Sequence, residues 1–339
     1  MAIVALEGPP PDPLIAFLDA HIAPRGRTHW TWKFEGAAPG APRGFWHTDA
    51  EGAITGFIGL MPTTLHLPGG PLPAAWLVDW VAAGAGGLGV GLGLLRKTQG
   101  ATRLPLTLGG SAVARDMYTS LRWTQVPIAT VWLRRLSARA IAERGPVRRH
   151  PVLRLPARLA AGALAVATRA GRPPAGTMAL DPVARFDDAW DAVWNARRGE
   201  FAPVMERGAR ELNWKLVAFP DGAYRCFLVR EGRDVVGHLV LRRESTQGLV
   251  RGRIVDLLWP RARPAVCEWI VAEACWRLQA DGCDVVQCTA SDPDLVHALR
   301  GARFTRVATL PLFHQKVPPE VGTPSGWFIT YLDCDRAYR

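Results

Sequence analysis

The chain has 339 residues, of which 48% are hydrophobic and 21% charged, and its 34 Gly and 28 Pro follow no three-residue period. This excludes a disordered chain, a disulfide-stapled miniprotein and a collagen-like fibre, and the length suits two domains. The formal charge of +11 is concentrated: residues 1–130 hold nine Lys/Arg against eight Asp/Glu, residues 131–174 ten Arg against the single Glu143, and residues 175–339 hold 22 against 21.

Met1 to Ala20 carries Glu7, Asp12 and Asp19 and no basic residue before its first apolar stretch, which does not read as a secretory signal. Trp32-Lys33-Phe34 precedes a turn-rich stretch and the strand-like run at 52–60, GAITGFIGL. Ala75 to Val81 (AWLVDWV) reads as a buried strand, followed at once by a run with glycines at 84, 86, 87, 89, 91 and 93. Such glycines remove the Cβ atoms that keep a ligand from the backbone, and a helix starting there aims free N–H groups outward, so pyrophosphate is the natural guest. The uncharged run Trp80 to Leu95 has 16 residues, short of the ~20 that a spanning helix needs. A dinucleotide fold wants an acid about 20 residues on, but Leu104 to Gly110 contains none.

The Arg-rich tract 131–174 interleaves arginine with Leu, Ile, Val and Trp132, and Leu159 to Ala167 reads as a short apolar helix. Two readings stand: an amphipathic connector that meets an anionic membrane surface, or a helix packed between two domains with solvated arginines. Nucleic acid is disfavoured as a partner, because both flanking segments are near neutral and no aromatic stacking series accompanies the arginines.

Beyond the connector the pattern recurs. Trp214-Lys215-Leu216 answers Trp32-Lys33-Phe34, and the spacing from Trp214 to Gly237 is 23 against 24 from Trp32 to Gly56. Val255-Asp256 answers Val78-Asp79; Ser291 to Phe304 answers Ser111 to Trp123, each a helical stretch ending in an Arg-aromatic pair. Two copies of one α/β fold follow, each a mixed, mostly antiparallel central sheet flanked by helices. The boundaries read as 1–135, a connector 136–180, and 181–339. Gly326 to Leu332 reads as the last strand of the second copy. That copy lacks the glycine loop, since 257–266 has no glycine, and Leu299 stands where a counterpart of Tyr118 would be. Arg261 and Arg263 remain candidates for phosphate or headgroup contact.

With the glycine run at 86–91 and Ser111, Ala114, Tyr118, Arg122 and Trp123 in place, the sequence resembles the GCN5-related N-acetyltransferase superfamily, with its acyl-CoA signature and later helix pattern. The resemblance implies that the amides around Gly86, Gly87, Leu88, Gly89, Val90 and Gly91 hold the pyrophosphate, with Ser111 nearby. It also implies that the backbone of Trp80, Val81 and Ala82 binds the pantetheine and the thioester carbonyl, where the central strands splay. Gly86 stands where the family usually has Gln or Arg, Ser111 where it often has Asn, and Arg122 where it often has Gly. The missing side-chain donor leaves either a CoA thioester or an acyl carrier protein as the donor.

Acyl transfer to an amine needs a base and an acid. The family pattern places Tyr118 beside the sulfur as the acid, and an ordinary phenol stays protonated at neutral pH; packing against Ala114 and Leu121 is its structural reading. Asp79, the only acid from Gly52 to Leu95, is the base candidate, because burial raises a carboxylate pKa; a structural acid paired with a backbone amide or an arginine is its other reading. His29, His47 and His66 are alternatives. No residues have metal-ligand spacing, and no nucleophile elbow appears, so direct transfer is the simplest scheme. The six cysteines read as reduced, buried thiols of a cytosolic protein.

Tandem copies of this kind resemble envelope-pathway acyltransferases and bacterial ceramide synthases. The connector and the 14 Trp against 4 Tyr tilt the acceptor toward a long-chain amine at the inner face of the cytoplasmic membrane. An amino sugar is the alternative acceptor, and a non-catalytic scaffold the alternative role.

Overall fold

The computed structural model describes residues 2–35, 42–84, 86–142, 162–163, 169–174, 176–246, 248–315 and 326–338. The first half runs β1 (Ala2–Leu6), α1 (Asp12–His21), α2 (Gly26–Glu35), β2 (Gly44–Thr48), β3 (Ile54–Leu67), β4 (Gly70–Ala82), α3 (Gly87–Ala101), β5 (Pro105–Leu108), α4 (Ala112–Ser120) and β6 (Thr124–Arg135), then the short α5 (Ala138–Ala142). The second half runs β7 (Met178–Val183), α6 (Asp188–Arg197), β8 (Val204–Met205), α7 (Ala209–Leu212), a π turn at Asn213–Val217, β9 (Tyr224–Glu231), β10 (Asp234–Thr246), β11 (Leu249–Leu258), α8 (Pro264–Ala280), β12 (Val285–Ala290), α9 (Pro293–Gly301) and β13 (Thr305–His314).

All thirteen of these strands join one sheet, in the order β1-β2-β3-β4-β5-β13-β6-β12-β11-β10-β9-β7, with β8 on β3. Only β4–β5 and β11–β12 pair in parallel, each across one helix, α3 or α8. The two halves exchange their final strands. β13 lies between β5 and β6, and β6 in turn pairs with β12. A strand exchange makes each half complete the other's sheet, and hydrophobic alternation cannot announce it, because alternation fixes a strand's faces and not its neighbours.

The repeat is visible in the structure. Arg122 and Arg303 both adopt left-handed backbone, φ 57° and 63°. Each is followed by an amide that reaches back five residues: Trp123 N to Tyr118 O and Phe304 N to Leu299 O, both 2.9 Å. Gly56 and Gly237 both mark close approaches. A Cβ on Gly56 would lie 2.7 Å from Val90 Cγ1, and one on Gly237 2.0 Å from the Leu258 carbonyl oxygen. Gly56 therefore lets α3 settle onto β3, bringing the glycine-led start of that helix to the end of β4.

Three expectations are corrected. Val131 to Arg135, read as the start of a membrane-facing connector, lie in β6 at the sheet's centre, with Trp132 and Arg134 buried. At the connector's other end Arg172 sits over the Trp276 ring at 4.8 Å, and the Ala170 amide donates to Gln279. The tract between, including Arg144 to Arg158 and most of Leu159 to Ala167, lies outside the described residues. Gly326 to Leu332 is not a strand, apart from one bridge between Val204 and Phe328. The last strand of the second copy is β13, and the tail that follows is irregular yet buried, with Phe328 N on Pro203 O and Leu332 N on Val255 O. Finally, ten of the 14 Trp are buried and Trp46, Trp80, Trp269 and Trp276 are half-buried, so tryptophan serves the core here rather than a lipid interface.

Candidate active site

The site begins with a defect in β4. Opposite Phe57 to Gly59 of β3, β4 holds one extra residue, so that Val81 and Val78 pair while Asp79 and Trp80 bulge. Asp79 takes left-handed backbone, φ 51°, a region that Asp and Asn visit more readily than most residues. A bulge of this kind bends the strand and re-aims its side chains. On the other side, β4 and β5 pair only at Ala75–Pro105 and Trp76–Leu106. Beyond Trp76 they part, leaving unpaired β4 backbone at Leu77 to Val81 beside a cavity of about 510 Å³.

The cavity is lined by α1–α2 residues including His29 and Lys33, by Asp79, Trp80 and Val81, by Thr107, Ser111 and Tyr118, and by Cys334, Asp335 and Tyr338 of the tail. Lys33 Nζ lies 2.5 Å from Asp79 Oδ2 and 3.4 Å from Asp335 Oδ2, with all three side chains almost fully buried. Asp79 is thus buried as expected, and it is paired, with a lysine rather than with a backbone amide or an arginine. Tyr118 packs among Trp80, Trp123 and Phe313 at ring distances of 4.9–5.4 Å. Burial pushes its hydroxyl far above the ordinary phenol range, against the lowering effect of its hydrogen bond with Thr107. The phenol therefore stays protonated at neutral pH.

Of the three histidines only His29 lines this cavity. Burial, helped by Lys33 and Arg25 and opposed by Asp19, lowers it to about 4, so it is neutral at pH 7. Its Nδ1 is buried without a hydrogen-bond partner. His47 meets Thr55 at 2.6 Å and His66 meets Glu206 at 2.6 Å, both elsewhere.

The glycine-rich residues stand beyond the cavity's rim. Gly86 is the N-cap of α3, with no side chain to satisfy the first amides; Gly87 N donates to Gly84 O and Val90 N to Gly86 O, both at 3.1 Å. The N–H groups of Leu88 and Gly89 thus open the helix, where anions are favoured. Cβ positions on Gly86 and Gly89 would meet nothing within 4 Å, while one on Gly91 would touch the Trp80 ring at 3.5 Å. Leu88 is 71% exposed. Val81 and Ala82 pair with Phe57 and Gly56 on their β3 side. Ser111 caps α4, its Oγ accepting from Ala114 N at 3.2 Å. The structure therefore brings Asp79, Tyr118, Trp80, Val81 and Ser111 to one cavity, and sets Ala82 and Gly86 to Gly91 just outside it.

Sequence reasoning missed Lys33, Cys334 and Asp335 as site residues. Lys33 was visible as a repeat marker, a charged residue inside the aromatic run WTWKF; Cys334 and Asp335 had no local signal. The second copy has the same device in closed form. Asp256, fully buried, receives Arg207 Nε at 3.0 Å, His238 Nε2 at 2.9 Å and Thr330 Oγ1 at 2.6 Å. Burial raises its pKa, but Arg207, His238 and Thr330 bring it down to about 2. Arg261 and Arg263, candidates for phosphate contact, are instead paired with Asp292 and Glu231. Among the described residues no group of His, Cys, Asp or Glu is placed to hold a metal ion, and no helix is long and apolar enough to cross a membrane.

No protein-family profile and no curated protein sequence matches the chain. Solved structures do. A GCN5-related N-acetyltransferase from Anabaena variabilis is 14% identical with a TM-score of 0.57, over 92% of this chain and 72% of that one. Saccharomyces cerevisiae N-myristoyltransferase with bound myristoyl-CoA is 10% identical with a TM-score of 0.60, over 94% and 83%. A probable N-acyltransferase from Enterococcus faecalis is 10% identical with a TM-score of 0.57, over 92% and 72%. The chain thus has the GCN5-related N-acetyltransferase fold, in two copies that share one sheet.

Proposed function

We propose that the chain is an acyl-CoA-dependent N-acyltransferase that moves a long acyl chain from a thioester to the primary amine of a lipid, such as a sphingoid base. The observation that carries this reading is the parting of β4 from β5 over a cavity that holds Asp79 and Tyr118, with the glycine-led start of α3 just outside it. In support, the same fold occurs in an N-myristoyltransferase that holds myristoyl-CoA.

The parts fit the substrate. Open space at Gly86 and Gly89 leaves the Leu88 and Gly89 amides of α3 accessible to a pyrophosphate. The exposed edge of β4 from Trp80 to Ala82 offers backbone groups to pantetheine, directing the thioester into the splay. An amine entering from the α1–α2 side meets the thioester carbonyl there. Asp79 accepts the amine proton, directly or through water, and Tyr118, protonated at neutral pH, supplies a proton to the departing thiolate. The lipid acceptor and a peripheral place at the inner face of the cytoplasmic membrane rest on the arginines at 144–158, outside the described residues.

Calorimetric titration of wild type and Gly89→Trp with acetyl-CoA and palmitoyl-CoA tests the reading. The tryptophan fills the open space over the loop without entering the core. Binding by wild type alone, with palmitoyl-CoA preferred, is the expected result, together with co-sedimentation on anionic liposomes that is lost when the arginines of 144–158 are neutralised. Preference for acetyl-CoA, without liposome binding, moves the acceptor to an amino sugar. Binding of neither thioester leaves an acyl carrier protein donor or a scaffold, and overturns CoA dependence.

A further inference from the structure

A second cavity, of about 690 Å³, lies between the two copies and shares no lining residue with the one at the β4–β5 splay. Its volume falls in the range of small-molecule sites, which favour such junctions. The first copy supplies an apolar wall from β3 and β4 that includes Pro62, Pro73 and Ala75; the second supplies the end of α6 and the turn into α7. Three arginines, Arg103, Arg198 and Arg210, and three acids, Asp191, Glu206 and Glu211, are among the lining residues. The acids are engaged by the fold. Asp191 Oδ1 accepts from Ala209 N at 2.6 Å, Glu206 accepts from Gly208 N and meets His66 Nε2, both at 2.6 Å, and Glu211 pairs with the buried Lys215 at 2.9 Å. These contacts clasp the turn so closely that a Cβ on Gly208 would lie 2.8 Å from Glu206 Oε1 and 3.0 Å from Asp191 Oδ1. Arg198 and Arg210 are not engaged in this way: among the described residues neither side chain has a hydrogen bond or an ion pair. Arg43, buried beside Pro42 of the lining, adds a cation from the first copy. Burial first, and then the charge of Arg210, lowers its guanidinium from the ordinary value. Two like charges, one from each copy, are thus held within each other's field at the junction.

We infer that this junction is a binding site for a small organic molecule carrying a phosphate group, which Arg198 and Arg210 hold while its uncharged part lies against the proline-lined wall. Guanidinium forks match phosphate oxygens in pairs, and a dianion is balanced by two such cations. The carboxylates of the lining, engaged with backbone amides, His66 and Lys215, do not compete for the two guanidinium groups. A bound anion also offsets the repulsion between Arg43 and Arg210, which is strongest where water is excluded. Inorganic phosphate leaves most of the cavity unfilled, so a sugar phosphate binds more tightly; a neutral sugar offers the arginines nothing. This site is separate from the pyrophosphate proposed at Leu88 and Gly89. The cavity meets α3 at its other end, Ala101, about 20 Å away along the helix axis.

The test is calorimetric titration of the full chain with inorganic phosphate, glucose 6-phosphate and glucose, repeated on Gly89→Trp, which covers the α3 amides, and on Arg198→Ala, Arg210→Ala and the double variant. The expected result is binding of glucose 6-phosphate more tightly than inorganic phosphate and no binding of glucose, with an affinity that falls as KCl is added and is unchanged in Gly89→Trp. Each arginine variant weakens glucose 6-phosphate about 10-fold or more. Because neither side chain is bonded within the fold, both variants keep the wild-type circular dichroism and thermal midpoint. Undiminished binding by the folded double variant, or no binding of either phosphate compound by wild type, overturns the site. Loss of binding in Gly89→Trp with retention in the arginine variants moves the phosphate to α3 and overturns it as well. Equal affinity for glucose or for inorganic phosphate overturns the organic phosphate as its ligand. Failure to bind palmitoyl-CoA bears on the acyltransferase reading alone and leaves this site standing.

Discussion

Trp32 and Trp214 exchange hydrogen bonds: the indole Nε1 of Trp32 donates to the carbonyl of Trp214 at 2.8 Å, and that of Trp214 donates to the carbonyl of Trp32 at 3.0 Å. The two residues head the same Trp-Lys pair in each repeat, so the reciprocal contact fastens one copy to the other. Replacing either by Phe keeps most of the apolar volume but leaves one buried carbonyl without its donor. Each single variant should lose about 1–3 kcal/mol in urea unfolding. The indoles also touch, with ring centroids 6.2 Å apart, so the double variant should depart from additivity by at least about 0.5 kcal/mol.

The exchange of final strands makes a stronger claim about the halves. A chain ending at residue 142 retains β6 but loses both of its neighbours, β13 and β12. Exposed central strands pair with whatever is available. Such a fragment is expected to aggregate or to be recovered only when co-expressed with residues 176–339. A monomeric 1–142 fragment with a cooperative thermal transition would contradict the exchange.

Both Arg-aromatic pairs end a helix with an arginine in left-handed backbone. An L-residue loses ~1–2 kcal/mol there, and glycine escapes that cost while adding ~0.5–1 kcal/mol of freedom to the unfolded chain. Arg122→Gly should therefore raise stability by roughly 0.5–1 kcal/mol, read as a higher urea midpoint at unchanged slope. A fall in the midpoint would mean that the guanidinium contributes more than the backbone loses.

His29 should make stability depend on pH. Its folded pKa of about 4 lies below its ordinary 6.5, so between these values the unfolded chain binds the proton that the folded chain rejects. Its contribution is present above pH 6.5 and is lost as pH falls toward 4, with a slope of at most about 1.4 kcal/mol per pH unit. Urea titrations of wild type and His29→Gln from pH 4 to 7 should show wild type losing stability relative to the variant as the pH falls. Parallel curves would show that the imidazole is not shielded.

Much of this was legible in the sequence. The Trp-Lys pairs, Gly56 and Gly237, Asp79 and Asp256, and the Arg-aromatic helix ends recur in order because each answers a local requirement: a close approach, a bulge or a left-handed turn. The Lys33–Asp335 contact was not legible, since its partners are 302 residues apart and no local pattern records such a pairing. The tail failed for a related reason. Its apolar alternation matches a strand, but its backbone meets Pro203, Val255 and Ser291 singly, filling space between the copies without joining the sheet. Tryptophan count misled because composition reports how many indoles there are and not which face they take.

Tyr118 and Asp79 separate by what their removal should do. Tyr118→Phe keeps the ring packed among Trp80, Trp123 and Phe313 and removes only the hydroxyl with its hydrogen bond to Thr107. Stability should fall by about 1 kcal/mol. If the phenol protonates the leaving thiolate, kcat should drop about 10²–10⁴-fold with palmitoyl-CoA affinity unchanged, because the lost interaction exists only in the transition state. Asp79→Asn instead removes one partner of a buried ion pair, and leaves Lys33 Nζ with Asp335 at 3.4 Å. Its stability cost should be larger, on the order of 3–5 kcal/mol, so its activity is to be compared only at temperatures where circular dichroism shows it folded. A Tyr118→Phe variant that turns over at the wild-type rate would remove the phenol from the chemistry and leave it as packing of α4 against the sheet.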